Sequence, residues 1–260
     1  MFIVILILVL FIVYLFLKGR KVPKLGDVTC ITGGVKTGKS TLALHLARRK
    51  YKSNLLKWRI VCVIKKILRK PLPEKPLFYS NIRLAFDYVP VTERIFMRDE
   101  RLAYKSVMYV QESSLIADSM DWKSKELNEN LKLFNKLYGH ETHGGSLFYD
   151  TQTMSDNHYS IKRVMNSYLW IHHAVKWIPF VYLCHVREMF FSSDGEMVNI
   201  AKDDPEDTLK WIIVPKKIWK YFDCYTYSVF TDHLPIANTL RKYSRKNLKT
   251  DYIVNLKRGK

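Results

Sequence analysis

The sequence is short of cysteine, glycine, proline and acid. Four cysteines in 260 residues (Cys30, Cys62, Cys184 and Cys224) form no CxxC pair and match no zinc-ligand spacing. That excludes a disulfide scaffold and a zinc module, and reduced thiols in a cytosolic compartment are expected. Ten glycines and nine prolines are too few for a collagen-like or linker-dominated chain. No internal repeat is present, which excludes a solenoid. His140-x-x-His143 and His172-His173 lack supporting ligands, so no metal centre built on histidine is expected. Acidic residues number 24 against 43 basic ones, leaving a formal charge of +19. An excess of that size predicts contact with something anionic, such as nucleic acid, nucleotide or lipid headgroups.

The chain has 48% apolar and 13% aromatic residues, enough for a sizeable core. Its charge is uneven. Residues 18–76 hold 17 basic and 2 acidic residues, and residues 236–260 hold 8 and 1. Between them, residues 77–235 are close to balanced, as on an ordinary globular surface.

Residues 1–17, MFIVILILVLFIVYLFL, are apolar without a break, and Lys18, Gly19, Arg20 and Lys21 follow at once. At 1.5 Å per residue the run spans about 26 Å, near the lower limit for crossing a bilayer. A cleaved signal carries its positive charge before the apolar run and small residues after it, the reverse of this order. A single transmembrane helix is therefore expected. The positive charges place the N-terminus outside and residues 18–260 in the cytoplasm. The expected organisation is an anchor with basic flank over 1–21, one domain over 22–235, and a basic tail over 236–260.

Residues 28–32, VTCIT, read as a buried parallel strand. Gly33, Gly34, Val35, Lys36, Thr37, Gly38, Lys39, Ser40 and Thr41 follow, and Gly33, Gly38, Lys39 and Ser40 are in register with GxxxxGK[ST]. A helix begins at Lys39, with Leu42, Leu46, Ala43 and Ala47 at i, i+4 spacing. Glycine lets successive N–H groups curl around phosphates, and the helix N-terminus adds positive potential at the same point. Lys39 would reach the β- and γ-phosphates and Ser40 would hold Mg²⁺. This strand–loop–helix unit predicts an α/β P-loop NTPase, with a mostly parallel sheet flanked by helices.

Such a site needs a carboxylate at the end of a second buried strand. Two runs qualify. Val107–Val110 ends in Gln111-Glu112, and Ser146–Tyr149 ends in Asp150-Thr151-Gln152. The favoured reading takes Glu112 as the catalytic carboxylate, with Gln111 where an aspartate is usual and Gln152 as a polar sensor beside the γ-phosphate. The competing reading makes Asp150 the Mg²⁺ residue, acting through water.

The order ITGGVKTGKST, FYSNI (78–82), VMYVQES (107–113), FYDTQ (148–152) with SDNHYSIKRVMNSY after it, and KKIWKYFDCYTYS (216–228) resembles the zonular occludens toxin (Zot)-like family, the assembly ATPases of filamentous phages. The resemblance implies ATP and Mg²⁺ as ligands, and Asn81, Glu112 and Gln152 around the nucleotide. It suggests Arg163 as a neighbour of the site, reaching across a subunit interface. It further implies a homo-oligomer at the host's inner membrane, acting with phage coat or other assembly proteins on virion export. Two departures stand out: the span precedes the ATPase domain with no outer-side domain after it, and Gln111 replaces the usual aspartate.

Residues 54–70 alternate apolar and basic residues at helical spacing and read as a basic amphipathic helix. Three readings stay open: it lies on an anionic membrane, it meets single-stranded DNA, or it packs on the core. Pro71, Pro73 and Pro76 end it. The remaining pattern predicts helices over 124–138 and 155–173. It also predicts a strand over 179–193 with a hairpin near Ser193-Asp194-Gly195, an acidic loop at 203–207, and a strand at 211–215. The basic tail 236–260 could contact phosphate backbones.

Overall fold

A computed structural model describes residues 25–96, 98, 100–113, 125–153, 159–191, 197–198 and 209–222. The apolar run 1–17, the hairpin at 193–195, the loop at 203–207 and the tail 236–260 lie outside them. Among the described residues no helix is long and apolar enough to cross a membrane.

Strand β1 (Val28–Thr32) is buried along its whole length, as its β-branched and apolar residues predict. Helix α1 (Lys39–Ile67) follows the loop after it. Strands β2 (Phe78–Ser80) and β3 (Val89–Pro90), helix α2 (Glu93–Phe96), strand β4 (Val107–Val110) and helix α3 (Lys125–Glu141) come next. Strand β5 (Ser146–Thr151), helix α4 (Tyr159–Val164), and strands β6 (Ser167–Val175), β7 (Val181–Phe191), β8 (Met197–Val198) and β9 (Leu209–Pro215) follow. A 3₁₀ turn, Lys216–Lys220, ends the described chain.

The strands form one sheet in the order β3-β2-β4-β5-β1-β6-β7-β8, with β9 also paired to β7. Pairing is parallel from β3 across to β6 and antiparallel among β6, β7, β8 and β9. Alternate residues of the central strands feed two cores. Ile31, Tyr109 and Phe148 face α1 and pack with Leu42, Leu46 and Tyr51. Cys30, Met108, Val110 and Tyr149 face α3 and α4 and pack with Leu131, Phe134, Tyr138 and Ile161. The sheet is thus covered on both faces, the arrangement a parallel sheet needs.

Two sequence expectations change. The helices expected from Lys39 and over 54–70 are one helix of 29 residues, because Ser53 and Asn54 cost too little to break it. Asn54 instead turns inward and donates to the Lys105 carbonyl at 2.8 Å. The helix expected over 155–173 stops at Val164, and residues 167–175 are strand β6. Its aromatic and β-branched residues suit a strand. Asn166 and Ser167 lock its start to β1, accepting from the Val28 and Gly26 amides at 2.9 and 2.7 Å. In the FYSNI run only Phe78–Ser80 is strand, and Asn81 is left to act as a side chain.

Candidate nucleotide site

Strand β5 lies between β1 and β4. The phosphate loop and the Gln111-Glu112 pair therefore sit at the same edge of the sheet, one strand apart. A cleft of about 460 Å³ opens there, lined by Lys36, Gly38, Lys39, Ser40, Gln111 and Glu112 on one side and Lys176, Tyr182 and Trp219 on another.

The loop has the backbone that its glycines allow. Gly38 has φ +95° and opens α1, and Lys36 also lies in the left-handed region at φ +63°. Gly33 is closely packed: a Cβ there would stand 2.6 Å from Thr37 Oγ1 and 3.3 Å from Ile171 Cβ. Thr37 closes the turn by donating from its hydroxyl to the Gly34 carbonyl at 2.8 Å. No side chain caps the start of α1 and its first turn has no acid, so its amides and dipole face the cleft uncompensated. Lys176, at the end of β6, donates to the Lys36 carbonyl.

Lys39 Nζ meets Glu112 Oε1 at 2.5 Å, which joins the phosphate loop to the end of β4. Glu112 has φ +48°, unusual for a residue with a side chain. Two fixed partners hold that turn. Its amide donates to Asp150 Oδ1 at 2.7 Å. One residue earlier, Gln111 and Asn81 bond reciprocally: the Gln111 amide donates to Asn81 Oδ1 at 2.8 Å, and Asn81 Nδ2 donates to the Gln111 carbonyl at 2.9 Å.

Asp150 is fully buried at the end of β5. Its Oδ2 accepts from the Tyr109 hydroxyl at 2.7 Å, and Tyr109 in turn hydrogen-bonds Ser40. Burial pushes the Asp150 carboxyl up to about 6, opposed chiefly by Lys39 and by the Glu112 amide and Tyr109 hydroxyl. Burial first, and the Asp150 charge second, pushes the Tyr109 phenol well above its ordinary range.

The structure therefore brings together Gly33, Gly34, Val35, Lys36, Thr37, Gly38, Lys39, Ser40 and Thr41 with Gln111 and Glu112, and places Asn81 and Asp150 directly behind them. Gln152 lies just past β5, exposed and outside the cleft lining. Arg163 is exposed on α4 and likewise does not line the cleft. Three residues escaped the sequence reading: Lys176, Tyr182 and Trp219. Trp219 donates from its indole to Thr41 Oγ1 at 3.2 Å and its ring lies 4.5 Å from that of Tyr182. The aromatic KKIWKYF segment was the available signal, but nothing in sequence ties it to a loop about 180 residues away.

A magnesium ion fits this donor set. Gln111 Oε1 is buried and has no hydrogen-bond partner among the described residues, and it lines the cleft with the Ser40 hydroxyl. An acceptor in that position suits a metal-bound water.

A phosphate loop between a buried parallel strand and a helix, facing a carboxylate one strand removed, defines a P-loop NTPase fold. The sequence matches no protein-family model and no curated protein. Among solved structures, the chain is similar to the N-terminal domain of zonular occludens toxin from Neisseria meningitidis, at 12% identity and a TM-score of 0.44, covering 76% of this chain and 100% of that one. It is also similar to the genome packaging NTPase B204 of Sulfolobus turreted icosahedral virus 2 in complex with ATP-γS. That match has 10% identity and a TM-score of 0.35, covering 62% of this chain and 96% of the other.

Proposed function

We propose that this protein is a membrane-anchored P-loop ATPase of the Zot-like kind, coupling ATP hydrolysis to virion morphogenesis or export at the host's inner membrane. The observation that carries the enzymatic part is the Lys39–Glu112 contact at 2.5 Å. It puts a lysine that suits β- and γ-phosphates beside a carboxylate that suits an attacking water. ATP would take Lys39 from Glu112, leaving the carboxylate free to orient water in line with the γ-phosphate. Asp150 and Asn81 keep Glu112 in place through its own amide and the backbone of the residue before it. Ser40 and Gln111 would hold Mg²⁺, which supplies charge neutralisation at the phosphates. Trp219, backed by the Tyr182 ring, offers an aromatic surface for the base.

The apolar run 1–17 supports the anchor, with the N-terminus outside and the ATPase domain in the cytoplasm. Assembly as a homo-oligomer, contact with phage coat proteins, and contact with single-stranded DNA through the basic tail 236–260 belong to the same proposal. The test is ATP hydrolysis by the full chain, with and without single-stranded DNA, beside Lys39→Ala and Glu112→Gln. Turnover abolished by both substitutions is expected; nucleotide binding without turnover under every condition would overturn the motor. A second reading, a nucleotide-binding membrane scaffold, is motivated by Gln111, which brings no charge to the metal.

A further inference from the structure

Helix α1 is longer than the sheet it covers. Its last buried residue is Asn54, which bonds the Lys105 carbonyl just before β4 begins. Asn54 is therefore level with the edge at which the parallel strands start. The remaining residues to Ile67 extend about 20 Å past that edge at 1.5 Å per residue. The chain returning to β2 runs beside this overhang, pinned by the Trp58 indole donating to the Pro73 carbonyl at 3.0 Å.

The outward side of the overhang is apolar. Leu56, Ile60, Val63, Ile64 and Ile67 are each at least half exposed, with Ile67 at 76%. At 100° per residue they fall in one stripe about 100° wide. Lys57 borders the stripe on one side and Arg59 and Lys66 on the other. No acidic residue occurs between Asp27 and Glu74. A second copy of this chain would set the same positive rim against itself. A nucleic acid would satisfy the rim and leave the aliphatic stripe in water. An anionic bilayer surface satisfies both.

Position agrees. Residues 25–27 enter β1 at the same edge from which the overhang projects, because β1 and β4 run parallel through β5. The chain before residue 25 thus enters the domain at the overhang's end, and the cleft lies at the other end of the strands. We infer that the distal half of α1 lies in the headgroup layer of an anionic membrane, apolar stripe down, and fixes which way the cleft points. This second membrane contact is independent of nucleotide turnover.

The test uses the full chain in vesicles, with Cys62 and Cys224 replaced by serine. A fluorophore is attached to a cysteine introduced in place of Ile60, of Ile67 or, as a control, of Trp177 in the exposed β6–β7 turn near the cleft. Quenchers on the lipid chains report depth. In vesicles containing phosphatidylglycerol, quenching at positions 60 and 67 is expected to be several-fold stronger than at 177. It is expected to weaken when phosphatidylcholine replaces the anionic lipid. A label at Val63 should lose its quenching in an Ile60→Glu, Ile67→Glu background, while the protein stays on the vesicles and melts as before. Equal quenching at 60, 67 and 177 would overturn the inference. So would cross-linking of Val63→Cys between two copies in place of lipid quenching, or protection that appears only with single-stranded DNA. ATP hydrolysis enters none of these readouts, so failure here and failure of the motor are distinguishable.

Discussion

Replacing Asp150 with asparagine should flatten part of the protein's pH dependence. The carboxyl is fully buried and held at about 6, against an ordinary value of 3.8. A carboxyl raised on folding takes up protons more readily in the folded state. Its ionisation therefore weakens the fold progressively as pH rises from 3.8 through 6, and the loss is complete above that. The whole displacement corresponds to about 3 kcal/mol. Between about pH 5 and 7.5, proton linkage gives a fall of about 1 kcal/mol from this one group. An asparagine side chain cannot ionise, but keeps an oxygen for the Glu112 amide. Asp150→Asn should therefore gain about 1 kcal/mol relative to the unsubstituted chain between those two pH values. Urea unfolding of both proteins at about pH 5 and 7.5 measures it. His45 is held down to about 4 by burial and by Arg49 and Arg48, and changes stability in the opposite direction over this window. It is present in both proteins and cancels in the difference. An unchanged pH slope would refute the reasoning. Loss of Mg²⁺-dependent nucleotide binding would refute the placement of Asp150 behind Glu112 and make it the metal residue instead.

Gly33→Ala should cost nucleotide affinity far more than stability, because its Cβ would meet Thr37 Oγ1 at 2.6 Å and force the loop open. Calorimetric titration with ATP should show weak or no binding, with a thermal midpoint within about 4 °C of the unsubstituted chain. Trp219→Ala should weaken ATP binding by about 0.5–1.5 kcal/mol, the scale of one aromatic stacking contact. Nucleotide-induced quenching of tryptophan emission should be reduced in Trp219→Phe, where binding itself persists.

The phosphate loop was legible because its chemistry is local: glycines, lysine and serine at fixed spacing between a strand and a helix. The order of carboxylate strands was legible too, since VMYV and SLFYDT are buried runs whose ends point to one edge. The internal support of the site was not. Asp150 read as a competitor of Glu112, yet it accepts the Glu112 amide from the neighbouring strand, a relation set by sheet order rather than spacing. Gln152 reads as a sensor from its place after β5, yet it is exposed outside the cleft lining, whereas Arg163, which the resemblance suggests as reaching across a subunit interface, is exposed on α4 and is not judged by one chain's own cleft. Residues 167–173 fall within the helix expected over 155–173; pairing with β1 decided otherwise. Trp219 comes to Thr41 only through the antiparallel β7–β9 extension, which no short-range pattern encodes.

Helix α1 begins at Lys39, whose side chain belongs to the phosphate site, and continues unbroken for 29 residues. At 1.5 Å per residue it is about 43 Å long. The sheet grips it from Lys39 to Asn54 and leaves about 20 Å free, so it is a beam clamped over its first half rather than a loose arm. A push on the free end is delivered through the clamped half to the phosphate loop.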